Sequence, residues 1–244
     1  MRDEPPGLRW PSRWPSIALD SGLTVRVAGH MPDLPAPVAA EVEAIWRERQ
    51  AANPALFNGR VFTADRLTAR GIVGHWTTYQ RVLAQMTRPT LYPALRLKPL
   101  AVTGILHAPD GIVLGRRAPH STYLAGWWQT PPAGSVESRH GENKVDLTAQ
   151  ILAEAQEELG LAPDMLTVAG PVRATRHPAT RIVDIGIRLD TALPFDRVLQ
   201  GWHAGGNDEY DRLAIVKPNQ NPEDVVGPHI LPGTREYLDV DRRS

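Results

Sequence analysis

Residues 131–161, PPAGSVESRHGENKVDLTAQILAEAQEELGL, decide how the rest of the chain is read. The stretch begins as a strand end, passes through a glycine turn and a polar loop, and continues as one helix predicted from about Leu147 to Leu159. Asp146 suits the N-cap, and Gly160 sits where a left-handed residue ends a helix. Leu147, Ile151, Leu152, Ala155 and Leu159 fall on one stripe at roughly 100° per residue. Glu154, Glu157 and Glu158 are spaced i, i+3, i+4 and share one face. Glu154 and Glu158 border the apolar stripe. Like charges there repel and lose solvation unless a cation neutralises them, and oxygen ligands suit a hard divalent ion, Mg²⁺ first. The plain alternative is a solvated acidic face on a surface helix.

The same residues resemble the Nudix hydrolases, whose box is written G-x5-E-x7-R-E-U-x-E-E-x-G-U with U aliphatic. Glu154-Ala155-Gln156-Glu157-Glu158-Leu159-Gly160-Leu161 matches its second half. Pro132-Ala133-Gly134-Ser135-Val136-Glu137 looks like its first half, with Gly134 as the box glycine. The sequence departs from the pattern twice. Ala153 stands where the family has Arg, and the loop around Arg139–Lys144 is five residues longer than the pattern. Glu137 and Glu142 compete for the first Glu of the box. In the family that Arg orients a Glu rather than binding metal, so its loss touches the site less than loss of a Glu would.

The resemblance implies an α/β fold, the Nudix α/β/α sandwich with a mixed sheet. It implies metal binding by Glu154, Glu157, Glu158 and the Ala133 carbonyl, with Mg²⁺ as cofactor and Mn²⁺ as substitute. It also implies hydrolysis of the diphosphate of a nucleoside diphosphate linked to another group, giving a nucleoside monophosphate and a phosphorylated product. Glu157, Glu158 and Glu209 are the expected catalytic residues. Glu209 belongs to Asn207-Asp208-Glu209-Tyr210-Asp211-Arg212-Leu213, which resembles the family's downstream acidic loop, with Asp208 and Asp211 as competitors. Arg116 and Arg117 end a strand that resembles the one before the box, and a guanidinium fork on either suits a diphosphate, a solvated strand-end Arg being the plain alternative. Arg176, in a loop with His177 and Arg181, is a further phosphate contact, or simply part of a polar loop. Trp127 or Trp128 has the surface to stack a base, Trp128 being the choice, although a Trp beside a strand is more often core. His177 as general base is a weaker idea.

A second resemblance lies upstream. Ile45-Trp46-Arg47-Glu48-Arg49-Gln50-Ala51-Ala52-Asn53-Pro54-Ala55-Leu56-Phe57-Asn58-Gly59 is similar to the N-terminal region of the Nudix branch that hydrolyses UDP-glucose and UDP-galactose. Asn-Pro as a helix stop and Asn-Gly as a turn account for part of it. The resemblance makes a UDP-sugar the leading substrate. A Nudix-derived binding protein without turnover, and a biosynthetic enzyme acting on a CDP-, CMP- or ADP-linked conjugate, are the alternatives.

Composition bounds these readings. The chain has 244 residues, 42% hydrophobic and 22% charged, with zero formal net charge. Neutrality disfavours a nucleic-acid partner held by a basic surface. Lys98, Lys144 and Lys217 are the only lysines, a skew that coding-sequence bias explains more simply than phosphate binding. With no cysteine, disulfides, thiolate metal sites and Cys nucleophiles are excluded. No apolar run reaches membrane-spanning length, and the N-terminus lacks a secretory pattern, so a cytoplasmic protein is expected. A homodimer is expected from the family alone.

The remaining chain is expected to divide at residue 95, with 1–95 an N-terminal α+β extension packed on a Nudix domain of 96–244. In the extension, Ser16–Asp20 and Leu23–Ala28 read as a hairpin, Pro37–Ala52 as a helix, Val61–Ala69 as a strand and Trp76–Met86 as a helix. Its strands are too few for a sheet of its own. In the core, strands are expected at Pro99–His107, Gly111–Arg117, Leu166–Thr175, Arg181–Leu189 and Arg212–Lys217, with Gly233–Val240 a short helix or tail.

Overall fold

The computed structural model describes residues 11–121, 124–138 and 143–241; Arg139 and Glu142, named above, lie outside them. The strands are β1 (Ser16–Ala18), β2 (Thr24–Val27), β3 (Arg60–Leu67), β4 (Gly71–Thr78), β5 (Leu100–Ala108), β6 (Gly111–Arg117), β7 (Trp128–Gln129), β8 (Ala133–Ser135), β9 (Thr167–Arg176), β10 (Val183–Asp190) and β11 (Tyr210–Val216). The helices are α1 (Ala36–Ala52), α2 (Tyr79–Thr87), α3 (Tyr92–Leu95), α4 (Leu147–Leu159), α5 (Phe195–Gly205), α6 (Pro222–Val226) and α7 (Pro232–Asp241). No helix among the described residues is long and apolar enough to cross a membrane.

The large sheet is mixed and eight-stranded, in the order β1-β9-β10-β5-β6-β11, with β8 beside β5 and β7 beside β6. Only β10 and β5 run parallel in it. Apolar alternation sets its faces. Val183, Ile185, Ile187 and Leu189 of β10 join Leu100, Val102, Ile151 and Leu159 in one core cluster. Ile151 is fully buried, which contributes roughly 1.5–3 kcal/mol. On the opposite face Gly186 leaves room for Tyr237 of α7, since a Cβ there would lie 2.6 Å from its ring.

The split between β5 and β6 makes the site. They pair only at His107↔Ile112 and Ala108↔Gly111, next to their turn. Beyond it β5 turns to β8 and β6 to β7, leaving Thr130–Pro132 to bridge the opening. Helix α4 has the bounds its periodicity predicts. Asp146 Oδ1 accepts from the Ala149 N–H at 3.0 Å, and Gly160 ends the helix at φ 65°. A side chain at Gly160 would also collide with Gly201, its Cβ 2.4 Å from the carbonyl oxygen.

The N-terminal expectations need three corrections. The turn at Ser21-Gly22 joins no hairpin: β1 pairs antiparallel with β9, and β2 pairs parallel with β4. The segment expected to begin a helix at Trp76 is the end of β4, and α2 starts only at Tyr79. Ile72, Val73, Trp76, Thr77 and Thr78 suit a pleated surface better than a helix. With β4 as its middle strand, a second sheet of order β2-β4-β3 does form. It is stitched to the large sheet where Phe62 N–H donates to Val136 O and Ala64 N–H to Lys98 O, both at 2.9 Å. In the core, α5 had no sequence expectation. Its glycines lower helix propensity, yet Gly201 and Gly205 are what let it lie against the end of α4.

Candidate active site

A cavity of about 430 Å³ opens where β5 and β6 part. Its lining includes Ala133, Glu154, Glu157, Glu158, Glu209 and Arg117. Helix α4 supplies the three glutamates at i, i+3, i+4, as the sequence predicts.

Each carboxylate is held differently. Glu158 is buried, and its Oε2 accepts both the Ala133 N–H and the Tyr210 hydroxyl at 2.9 Å. Gln129 Nε2 donates to the same tyrosine oxygen at 2.9 Å, which leaves the tyrosine proton directed at Glu158. Burial pushes the Glu158 carboxyl well above the usual range; the Ala133 N–H pulls it back, Glu154 pushes it up, the Tyr210 hydroxyl pulls it back, and Glu209 adds a smaller upward push. Glu154 takes a hydrogen bond from Gln150 Nε2 at 2.5 Å and lies against Gly134. A Cβ at residue 134 would stand 2.2 Å from the Glu154 carboxyl carbon, so only glycine admits that carboxylate. Glu157 is exposed at the rim, and its carbonyl accepts from Asn207 N–H at 2.9 Å, tying the downstream loop to α4.

That loop carries Glu209, which pairs with Arg117 at 2.7 Å. The competing acids go elsewhere. Asp208 is exposed beside His120 at 3.2 Å, and Asp211 forms a two-pronged pair with Arg116 at 2.7 and 2.6 Å.

Three expected substrate contacts lie away from the cavity. Neighbouring strand residues face opposite sides of a sheet, so Arg117 enters the cavity while Arg116 turns to Asp211. Arg176 is exposed on a separate groove with Pro15, Ser16 and Asp65. Trp128 packs with Leu114, Val216, Ile230 and Leu238 as core. His177 is also no base. It is buried edge-on to Trp14, its Nδ1 accepts the N–H groups of Ala179 and Thr180, and burial, aided by Arg181, lowers its pKa to about 3.

The structure adds residues that the sequence left unremarked. Tyr210 and Gln129 brace Glu158, Gln150 braces Glu154, and Tyr79, Val82 and Met86 of α2 line the cavity with Trp14 and Tyr237. Asp184 also lines it. An Asp inside the apolar run Ile182–Leu189 was the one visible signal for that residue.

The donor set suits a hard divalent cation: carboxylate oxygens around a glycine cradle. Among the described residues, no three His, Asp or Glu side chains converge on one point as they stand.

No family model matches the chain, and no curated protein matches it. Solved structures do. One is a MutT protein from Methanosarcina mazei Go1, 20% identical, covering 59% of this chain and 92% of that one at a TM-score of 0.39. Another is a C. elegans Ap4A hydrolase in a binary complex, 17% identical, covering 48% and 79% at 0.36. A third is the NUDIX domain of Shewanella oneidensis NrtR with ADP ribose, 13% identical, covering 59% and 86% at 0.39. The chain's own architecture is a mixed sheet carrying the Glu154–Glu158 helix against Gly134 of β8, the α/β arrangement expected from the sequence.

Proposed function

We propose that the protein hydrolyses the diphosphate of a nucleoside diphosphate linked to another group, with a divalent cation, Mg²⁺ or Mn²⁺. The observation that carries this reading is the meeting of Glu154, Glu157, Glu158, Glu209 and Arg117 in one cavity beside Ala133. Glu154, Glu157, Glu158 and the Ala133 carbonyl would hold the cation. When bound, it neutralises the diphosphate and lowers the pKa of the attacking water.

The chain's residues do the rest. Arg117 offers its guanidinium to the non-transferred phosphate. Glu157, or Glu209 once Arg117 turns to substrate, accepts the proton of the water. The water oxygen stays on one phosphate and the anhydride oxygen leaves on the other, giving a nucleoside monophosphate and a phosphorylated product.

A UDP-sugar is the leading substrate. The upstream run that resembles the UDP-glucose/UDP-galactose branch stands directly behind the cavity wall. Trp46 meets Tyr79 edge-on at 6.4 Å, and the Asn58 side chain accepts the Gln80 N–H at 2.8 Å, seating the helix that brings Tyr79, Val82 and Met86 to the cavity.

The test is nucleotide release from a panel led by UDP-glucose, with and without Mg²⁺ or Mn²⁺, beside Glu157→Gln. UMP that appears only with metal, and falls at least about 100-fold in the variant, is the expected result. Bound nucleotide without product would favour the non-catalytic reading, to which Ala153 points. Turnover only of CDP- or ADP-linked compounds would replace the UDP-sugar.

A further inference from the structure

Asp184 lines the cavity and has no part in the hydrolytic scheme. It stands on β10 with Ala101 and Thr175 as register partners, on the sheet face that α7 covers. Its backbone is fixed: the Tyr237 hydroxyl donates to Asp184 O at 3.0 Å and lies 3.1 Å from Thr175 Oγ1. Its carboxylate takes no hydrogen bond from a described residue, and the Arg117 guanidinium is a nearby charge, while the side chain is neither fully buried nor exposed. An acid at such depth costs stability unless something satisfies it.

The surroundings narrow what that partner is. Trp14, Tyr79, Val82, Met86 and Tyr237 line the same cavity, and of these Tyr237 bonds the Asp184 backbone, so part of its wall is aromatic and aliphatic. A carboxylate accepts hydrogen bonds only, and it repels a phosphate. Aromatic walls suit the C–H faces of a ring. Both properties are met by a sugar, which presents neighbouring hydroxyl donors at its edge and apolar C–H bonds on its faces.

We propose that Asp184 accepts hydrogen bonds from hydroxyl groups of the sugar on the far side of the diphosphate, and so selects nucleoside diphosphate sugars over conjugates lacking a sugar. This rests on the hydrolase reading above. Tyr79, Val82, Met86 and Trp14 then confine the ring, which gives the N-terminal elements a share in specificity.

The experiment compares kcat/KM for UDP-glucose with that for the methyl ester of UDP, which keeps the base, ribose and diphosphate but has no hexose. The wild type is expected to favour UDP-glucose by about 100-fold or more, because unpaired buried polar groups penalise a substrate lacking its hydroxyls. Asp184→Asn and Asp184→Glu are expected to shrink that ratio at least about tenfold. A wild-type ratio near one overturns the proposal without any variant, as does an unchanged ratio in a folded Asp184→Asn protein. A 2′-deoxyribose UDP-glucose arm separates the two sugars: if Asp184→Asn abolishes discrimination against that compound instead, the carboxylate reads the nucleoside ribose and the proposal falls. Hydrolysis of neither compound by the wild type, with metal present, would overturn the proposal together with the UDP-sugar reading, and hydrolysis of neither these nor CDP- or ADP-linked compounds would remove the hydrolase reading itself.

Discussion

The Tyr210 hydroxyl donates to Glu158 Oε2 at 2.9 Å, while Gln129 donates to the tyrosine oxygen. Ala153 stands where the resembling family has an orienting Arg, and here the bracing of Glu158 comes from β7 and β11 instead. Tyr210→Phe keeps the ring against Gly115 and removes the hydroxyl that donates to Glu158 and accepts from Gln129. It should weaken Mn²⁺ binding, read by titration calorimetry, by about 10–100-fold, with a fall in melting temperature of a few degrees from the two lost buried hydrogen bonds. Equal affinity in the two proteins would mean that Tyr210 only fills space.

Gly134→Ala should disable the site more than it destabilises the fold. The added methyl must displace the Glu154 carboxylate, which lies 2.2 Å from it. Glu154 is a side chain with room to swing aside, so the cost falls on the metal site. Activity should drop at least about 100-fold while the urea midpoint moves little. Near-normal activity would show that Glu154 works from another position.

His177 makes stability fall in acid. Its folded pKa is about 3, below the ordinary 6.5, so the unfolded chain binds a proton that the folded chain refuses between those values. Stability from this residue is complete above pH 6.5 and declines as pH falls towards 3, by up to about 5 kcal/mol. Urea unfolding at pH 7 and 4.5 should show a larger acid loss for the wild type than for His177→Asn. Parallel losses would contradict the assignment.

Asp184 acts with the opposite sign. Burial raises its pKa to about 6 despite the nearby Arg117, so the folded state holds a proton that the unfolded chain has released. Its contribution is present below pH 4 and is lost as pH rises through 6, by no more than about 3 kcal/mol. Asp184→Asn should therefore be more stable than the wild type at pH 7.5 and closer to it at pH 4, measured by the same urea titrations. A variant less stable at pH 7.5 would mean that the carboxylate has a partner in the folded protein.

Local signals carried much of the sequence reading. The α4 bounds, its Asp146 cap and Gly160 stop, and the apolar strands β5, β6, β9 and β10 depend on interactions within a few residues or on simple alternation. The failures came where a distant partner decides. Residues 71–78 become a strand because β2 and β3 flank them, and Gly74 admits the close approach, its Cβ position 2.0 Å from Thr63 O. The turn at Ser21-Gly22 was legible, but the sheets its two strands join were not.

The sequence by itself determined that Glu154, Glu157 and Glu158 share a helical face, because 3.6 residues per turn fixes that spacing whatever surrounds the helix. The glycine turn expected before them is instead the strand β8, in which Gly134 pairs with Val102. Only the tertiary structure decided that Arg117 and not Arg116 enters the cavity, that Glu209 and not Asp211 meets it, and that Asp184 joins them from another strand. These choices depend on strand register and on where β5 parts from β6, and both are set by packing across the whole sheet rather than by the residues beside them.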